Sequence, residues 1–133
     1  MPEIAKAFQG GLFAITLFTE DLEASDAFYG QALGLEKVFG DEVSSVYMAG
    51  NTAVNILASS QAEELLSPAN AATTNQGVQA VYTLRVSDVD AVSAELQTRG
   101  VILLNGPIDR PWGVRTASFQ DPSGHVWEIA DHK

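Results

Sequence analysis

Fourteen residues of this chain recur, in altered form, 67 positions further on: AITLFTEDLEASDA begins at Ala14 and VYTLRVSDVDAVSA at Val81. Thr16/Thr83, Leu17/Leu84, Asp21/Asp88, Ala24/Ala91 and Ala27/Ala94 are identical pairs, and Leu22/Val89 and Glu23/Asp90 are close ones. Such a repeat narrows the fold sharply, because each copy must form the same supersecondary unit and bury its apolar face against a neighbour. Each copy opens on period-two alternation, the mark of a strand. An aspartate follows, Asp21 or Asp88, of the type that caps a helix. Glu23 and Asp90 then sit in the first turn, where the positive end of the helix favours them. Leu22, Phe28, Tyr29 and Leu33 make one buried helical stripe; Val89, Val92 and Leu96 make the other. Gly34 and Gly100 stand where a left-handed residue ends a helix.

Three short strands are expected after each helix. They fall near Glu36–Phe39, Val43–Met48 and Thr52–Ala58, then near Val101–Leu104, Arg115–Gln120 and His125–Ala130. Turn residues separate them, most plainly Asp121-Pro122-Ser123-Gly124. The chain therefore reads as a single α+β domain of two βαβββ modules, about 8–58 and 78–131. A connector at about 59–77 begins as a short helix and continues as a mobile, Ala/Asn/Thr-rich stretch. Alternation assigns Ala14, Thr16, Phe18, Asn55, Leu57, Val81, Thr83, Arg85, Val126 and Glu128 to a mixed face. Phe13, Ile15, Leu17, Val54, Ile56, Tyr82, Leu84, Val86, Trp127 and Ile129 form an apolar face turned to the helices.

Seven basic side chains against seventeen acidic ones give a net charge of −10. That sign repels nucleic acid and anionic membranes and attracts cations; it also simply keeps a protein soluble. The absence of cysteine removes disulfides, thiolate ligands and a cysteine nucleophile, and fits the cytoplasm. The apolar run Gly11–Phe18 is too short to span a bilayer and lacks the basic flank of a signal peptide. No Ser-His-Asp arrangement and no glycine-rich phosphate loop is present.

The stretches LFTEDLEASDAFYGQALGLE and RPWGVRTASFQDPSGHVWEI resemble the vicinal oxygen chelate superfamily, which includes glyoxalase I, dioxygenases and bleomycin-resistance proteins. The resemblance implies two βαβββ modules forming a cupped mixed sheet with helices outside, a ligand cavity between the cups, and homodimers that sometimes exchange modules. It also implies four metal-ligand positions. Two lie seven residues before the helix-capping aspartates and two on the last strand of each module. Here they fall on Ala14, Val81, Asn55 and Glu128. Two hydrocarbon side chains, a neutral amide and one carboxylate do not make a divalent-metal site, so no metal or other cofactor is expected.

The expected ligand-binding set is Trp112, Glu128, Asn55, Thr83, Val81, Arg85, Arg115 and Phe18. Trp112, on a Gly/Pro loop, is suited to stack on a planar ligand or a cation, or equally to pack in an interface. Glu128 is suited to anchor a cationic group or act as a general base, or else is paired with Arg85 or Arg115. His125 and His132 occupy no ligand position. The leading expectation is a metal-independent binding protein that sequesters a small organic molecule, cationic or planar, as antibiotic-resistance members do. The alternatives are an enzyme of the lactoylglutathione lyase or dioxygenase type using Glu128, and an interaction module whose cup its own side chains fill. A homodimer is expected, with neither nucleic acid nor membrane as partner.

Overall fold

The computed structural model describes residues 3–131, so His132 lies outside the described residues. After a short helix α1 (Glu3–Lys6), the first module runs β1 (Ala14–Thr19), α2 (Leu22–Asp26), β2 (Glu36–Gly40), β3 (Ser44–Ala49) and β4 (Thr52–Ala58). The connector carries α3 (Ala62–Leu66). The second module runs β5 (Val81–Arg85), α4 (Val89–Thr98), β6 (Leu103–Asp109), β7 (Arg115–Gln120) and β8 (Val126–Ala130). Each module folds into its own four-stranded mixed sheet, ordered β1-β4-β3-β2 and β5-β8-β7-β6. The first strand of each module lies parallel to the last, and the remaining pairs are antiparallel.

The repeat holds at atomic detail. Asp21 accepts from the Ala24 N–H and Asp88 from the Ala91 N–H, both at 3.0 Å. Gly34 and Gly100 follow their helices with φ of 69° and 92°. The modules diverge after α2, which continues as a π-helix through Ala27–Ala32. Leu33 N–H therefore bonds the Phe28 carbonyl, five residues back. Such a widening rephases the side chains beyond it.

β6 is longer than its sequence foretells. Pro107 argues against a strand beyond Leu104, but β6 is an edge strand, where a missing N–H costs little. Its pairing with β7 slips between Asn105 and Ile108, and the slip accommodates Gly106-Pro107.

One core serves both sheets. Leu17, Val54, Ile56 and Tyr47 from the first sheet join Ala117, Phe119, Trp127 and Ile129 from the second, with Val89 and Leu96 of α4. Tyr29 stands at the junction, its ring 5.9 Å from Tyr47 and 6.1 Å from Trp127. Phe13 departs from its expected place: it precedes β1 and is 85% exposed. Only its carbonyl is engaged, accepting from Ala53 N–H, so the alternation begins one residue later than it reads. The connector is tied to the first module where Thr74 N–H donates to the Glu20 carboxylate, a bond that holds Glu20 below its usual pKa.

Candidate functional site

Because the helix-facing sides of both sheets look into one core, their other sides look away from it. One chain therefore does not wrap the two mixed faces around a shared cavity. On the second sheet the register aligns Thr83, Glu128, Ser118 and Asn105 in one row across the strands. The next row holds Arg85, Ala130, Thr116 and Ile108. Thr83 Oγ1 donates to Glu128 Oε1 at 2.9 Å. In the equivalent place of the first sheet, Asn55 Nδ2 donates to Thr16 Oγ1 over a long 3.4 Å.

A tight turn, closed by Arg110 N–H to the Val114 carbonyl at 2.8 Å, carries Trp112 beside this face. Arg110 lies across the face. Its Nε donates to Thr116 Oγ1 at 2.9 Å and its Nη2 to Asn105 Oδ1 at 3.0 Å. The guanidinium stands 6.0 Å from the centre of the Trp112 ring, within cation–π range. Trp112 itself is 70% exposed. Alternation within strands could not place Arg110, because it belongs to the turn. The only signal for it was the run of turn residues around Trp112.

Of the residues singled out from sequence, Val81, Thr83, Arg85 and Glu128 share this face, with Trp112 beside it. Asn55 and Phe18 lie in the first sheet. Phe18 helps line a small cavity of about 180 Å³ with Tyr82 and His125, under the end of the connector. His125 Nε2–H donates to the Phe18 carbonyl at 2.8 Å, which gives that histidine a structural contact. Arg115 is on the opposite side. It reaches Asp90 of α4 at 3.0 Å and Asp109 at 3.1 Å, and these bonds raise its pKa, Asp90 foremost. A groove of about 620 Å³ between the connector and Glu20 lies apart from all of these residues.

The sequence reading missed a second polar centre, which is structural. Asp121 is buried, and its Oδ2 accepts from Tyr29 Oη–H at 2.6 Å. Its Oδ1 accepts from the Ser123 and His125 N–H groups at 3.0 and 2.8 Å. Trp127 Nε1–H donates to Tyr29 Oη at 3.0 Å. Burial, and then the Asp121 charge, push the Tyr29 hydroxyl far above the usual tyrosine pKa, so it stays a donor. Ser123 Oγ–H meets Thr19 Oγ1 at 2.8 Å and closes the seam between modules.

The donor set at the four implied metal positions does not fit a divalent ion. Ala14 and Val81 offer no electron pair, and one oxygen of Glu128 is already taken by Thr83. Among the described residues no cluster of three or more His, Cys, Asp or Glu side chains could hold one.

A family model for the Glyoxalase/Bleomycin resistance protein/Dioxygenase superfamily matches residues 11–129, and the chain belongs to this superfamily. Solved structures with the same fold include a glyoxalase/bleomycin resistance protein/dioxygenase from Nocardioides. It is 22% identical, with a TM-score of 0.81 over 98% of this chain and 93% of that one. A glyoxalase-related enzyme from Fulvimarina pelagi is 28% identical, with a TM-score of 0.77 over 92% and 88%. A lactoylglutathione lyase from Agrobacterium tumefaciens is 19% identical, with a TM-score of 0.75 over 91% and 92%, a likeness of fold. No curated protein matches the chain. Among the described residues no helix is long and apolar enough to cross a membrane.

Proposed function

We propose that this member of the superfamily is a cytoplasmic protein that binds a small planar organic molecule without a divalent metal, and that two copies of the chain complete the site. The observation that carries the reading is the pair Ala14 and Val81, hydrocarbon side chains where coordination would require oxygen or nitrogen. Trp112, largely exposed beside a guanidinium, offers a ring on which a planar ligand can stack. Glu128 contributes an acceptor. Sequestration of the kind found in antibiotic-resistance members is the role this site would serve.

The dimer is supported by what one chain leaves open. Phe8, Phe13 and Ile102 are 70%, 85% and 86% exposed, and Val81 on the mixed face of the second sheet is exposed as well. Light scattering should give twice the 14.2 kDa chain mass, with an interface of at least about 1,000 Å². A monomer at micromolar concentration would count against it.

Adding Zn²⁺, Ni²⁺, Mn²⁺ or Fe²⁺ should leave the melting temperature unchanged. A specifically bound metal at a hundredfold excess over its Kd would add about 2.7 kcal/mol of stability. Native mass spectrometry showing a stoichiometric metal that also stabilises the fold would overturn the metal-free reading. Planar aromatic compounds should quench tryptophan fluorescence, and Trp112→Ala should weaken their binding by about 1–3 kcal/mol. Trp127 is only 2% exposed, so Trp112→Phe should remove most of the quench. A quench that survives this substitution would place binding elsewhere.

A further inference from the structure

Among the described residues, two arginines on the outer face of the second sheet have no carboxylate partner. Lys37 meets Asp26, Arg99 meets Glu95, and Arg115 meets Asp90 and Asp109. Among the described residues neither Arg85 nor Arg110 forms an ion pair, although acids outnumber bases seventeen to seven. Arg110 is nonetheless held firmly. Thr116, 1% exposed, takes its Nε–H, Asn105 takes one Nη2–H, and the Trp112 ring stands against it. Of the five N–H donors of a guanidinium, about three remain for a ligand. Arg85 emerges in the same row as Thr116, two strands away, or about 10 Å between Cα atoms. Both side chains are long enough to converge on a group between them.

We propose that this face recognises a carboxylate on a planar ligand, gripped between Arg85 and Arg110 while the ring lies on Trp112. The inference rests on the small-molecule reading above and specifies its ligand class. It reverses the sign that the net charge favours, for a physical reason. Dispersed acids act over a screened distance, whereas a fixed guanidinium acts at contact. Planar, bidentate donors suit a carboxylate better than a cation. Glu128 stands one row from Arg85 along the strands, about 7 Å, and shares the row of Asn105 two strands over, with one oxygen engaged by Thr83. It disfavours a second anionic group at that end and so sets the ligand's direction.

Benzoate, benzamide and benzamidinium share one planar shape and differ in charge, and their binding to the full-length protein can be followed by tryptophan quenching. Benzoate should bind at least about tenfold more tightly than benzamide, and its advantage should shrink with salt. Arg85→Gln and Arg110→Gln should each cost benzoate about tenfold while leaving benzamide unchanged. Arg85 is exposed on an edge strand, so its variant keeps its fold even if Arg110→Gln does not. Equal binding of the three compounds, preference for benzamidinium, or wild-type benzoate affinity in Arg85→Gln would overturn the carboxylate site. If all three compounds quench equally and Trp112→Phe abolishes the quench, the planar-ligand reading stands without it. If none of them quenches, both readings fall.

Discussion

Asp121→Ala is expected to lower the free energy of unfolding by about 2–4 kcal/mol, because one truncation strands several buried donors. Tyr29 Oη–H, fully buried, loses its acceptor, and the N–H groups of Ser123 and His125 lose theirs. No water can replace the carboxylate cheaply at the Tyr29 end, where the ring is packed between Tyr47 and Trp127. Tyr29→Phe should cost less, about 1–2 kcal/mol, since Asp121 keeps its two backbone donors. Urea unfolding followed by circular dichroism measures both. A loss under about 0.5 kcal/mol for Asp121→Ala would show that the Asp121 hydrogen bonds add nothing to the packing of the seam. Trp127 fluorescence gives an independent view, because its indole N–H ends on Tyr29 Oη.

Gly106→Ala should cost a comparable amount, about 2–4 kcal/mol, or a fall in Tm of roughly 10 °C. Gly106 has φ of 87°, a conformation that L side chains rarely adopt. A Cβ there would also collide with the Thr116 carbonyl oxygen and approach Ala117 Cα to 2.7 Å. Both obstacles belong to β7, an inner strand paired on both sides, so neither can retreat without breaking the sheet. Gly50→Ala is the matched control. Gly50 has φ of 60° but open space around it, so its substitution should cost only about 1 kcal/mol of backbone strain. If the two variants unfold alike, the close approach of β6 to β7 carries no energy. The Gly106 variant has a functional consequence as well. Thr116 anchors the Arg110 guanidinium, so displacing β7 should also weaken ligand binding at Trp112.

The sequence by itself determined the two-module plan. The repeat, the capping pair Asp21 and Asp88, and the stop residues Gly34 and Gly100 are local signals, and local backbone chemistry suffices to read them. Period-two alternation likewise put Thr83, Arg85 and Glu128 on one face, because neighbouring side chains of a strand must point to opposite sides. The hydrocarbon nature of Ala14 and Val81 needed no structure at all. Tertiary structure alone decided the rest. That Arg115, which alternation on β7 turns away from the Thr116 face, meets Asp90 there depends on how α4 docks, and that Arg110 lies across the outer face depends on a turn, which has no period to read. That Asp121 serves Tyr29, 92 positions earlier in the chain, depends on how α2 and its π-helical continuation dock on the second sheet. The outward direction of both mixed faces follows from the same docking. Tyr29 joins two sheets into one core, and a face opposite a shared core must look to solvent or to another chain.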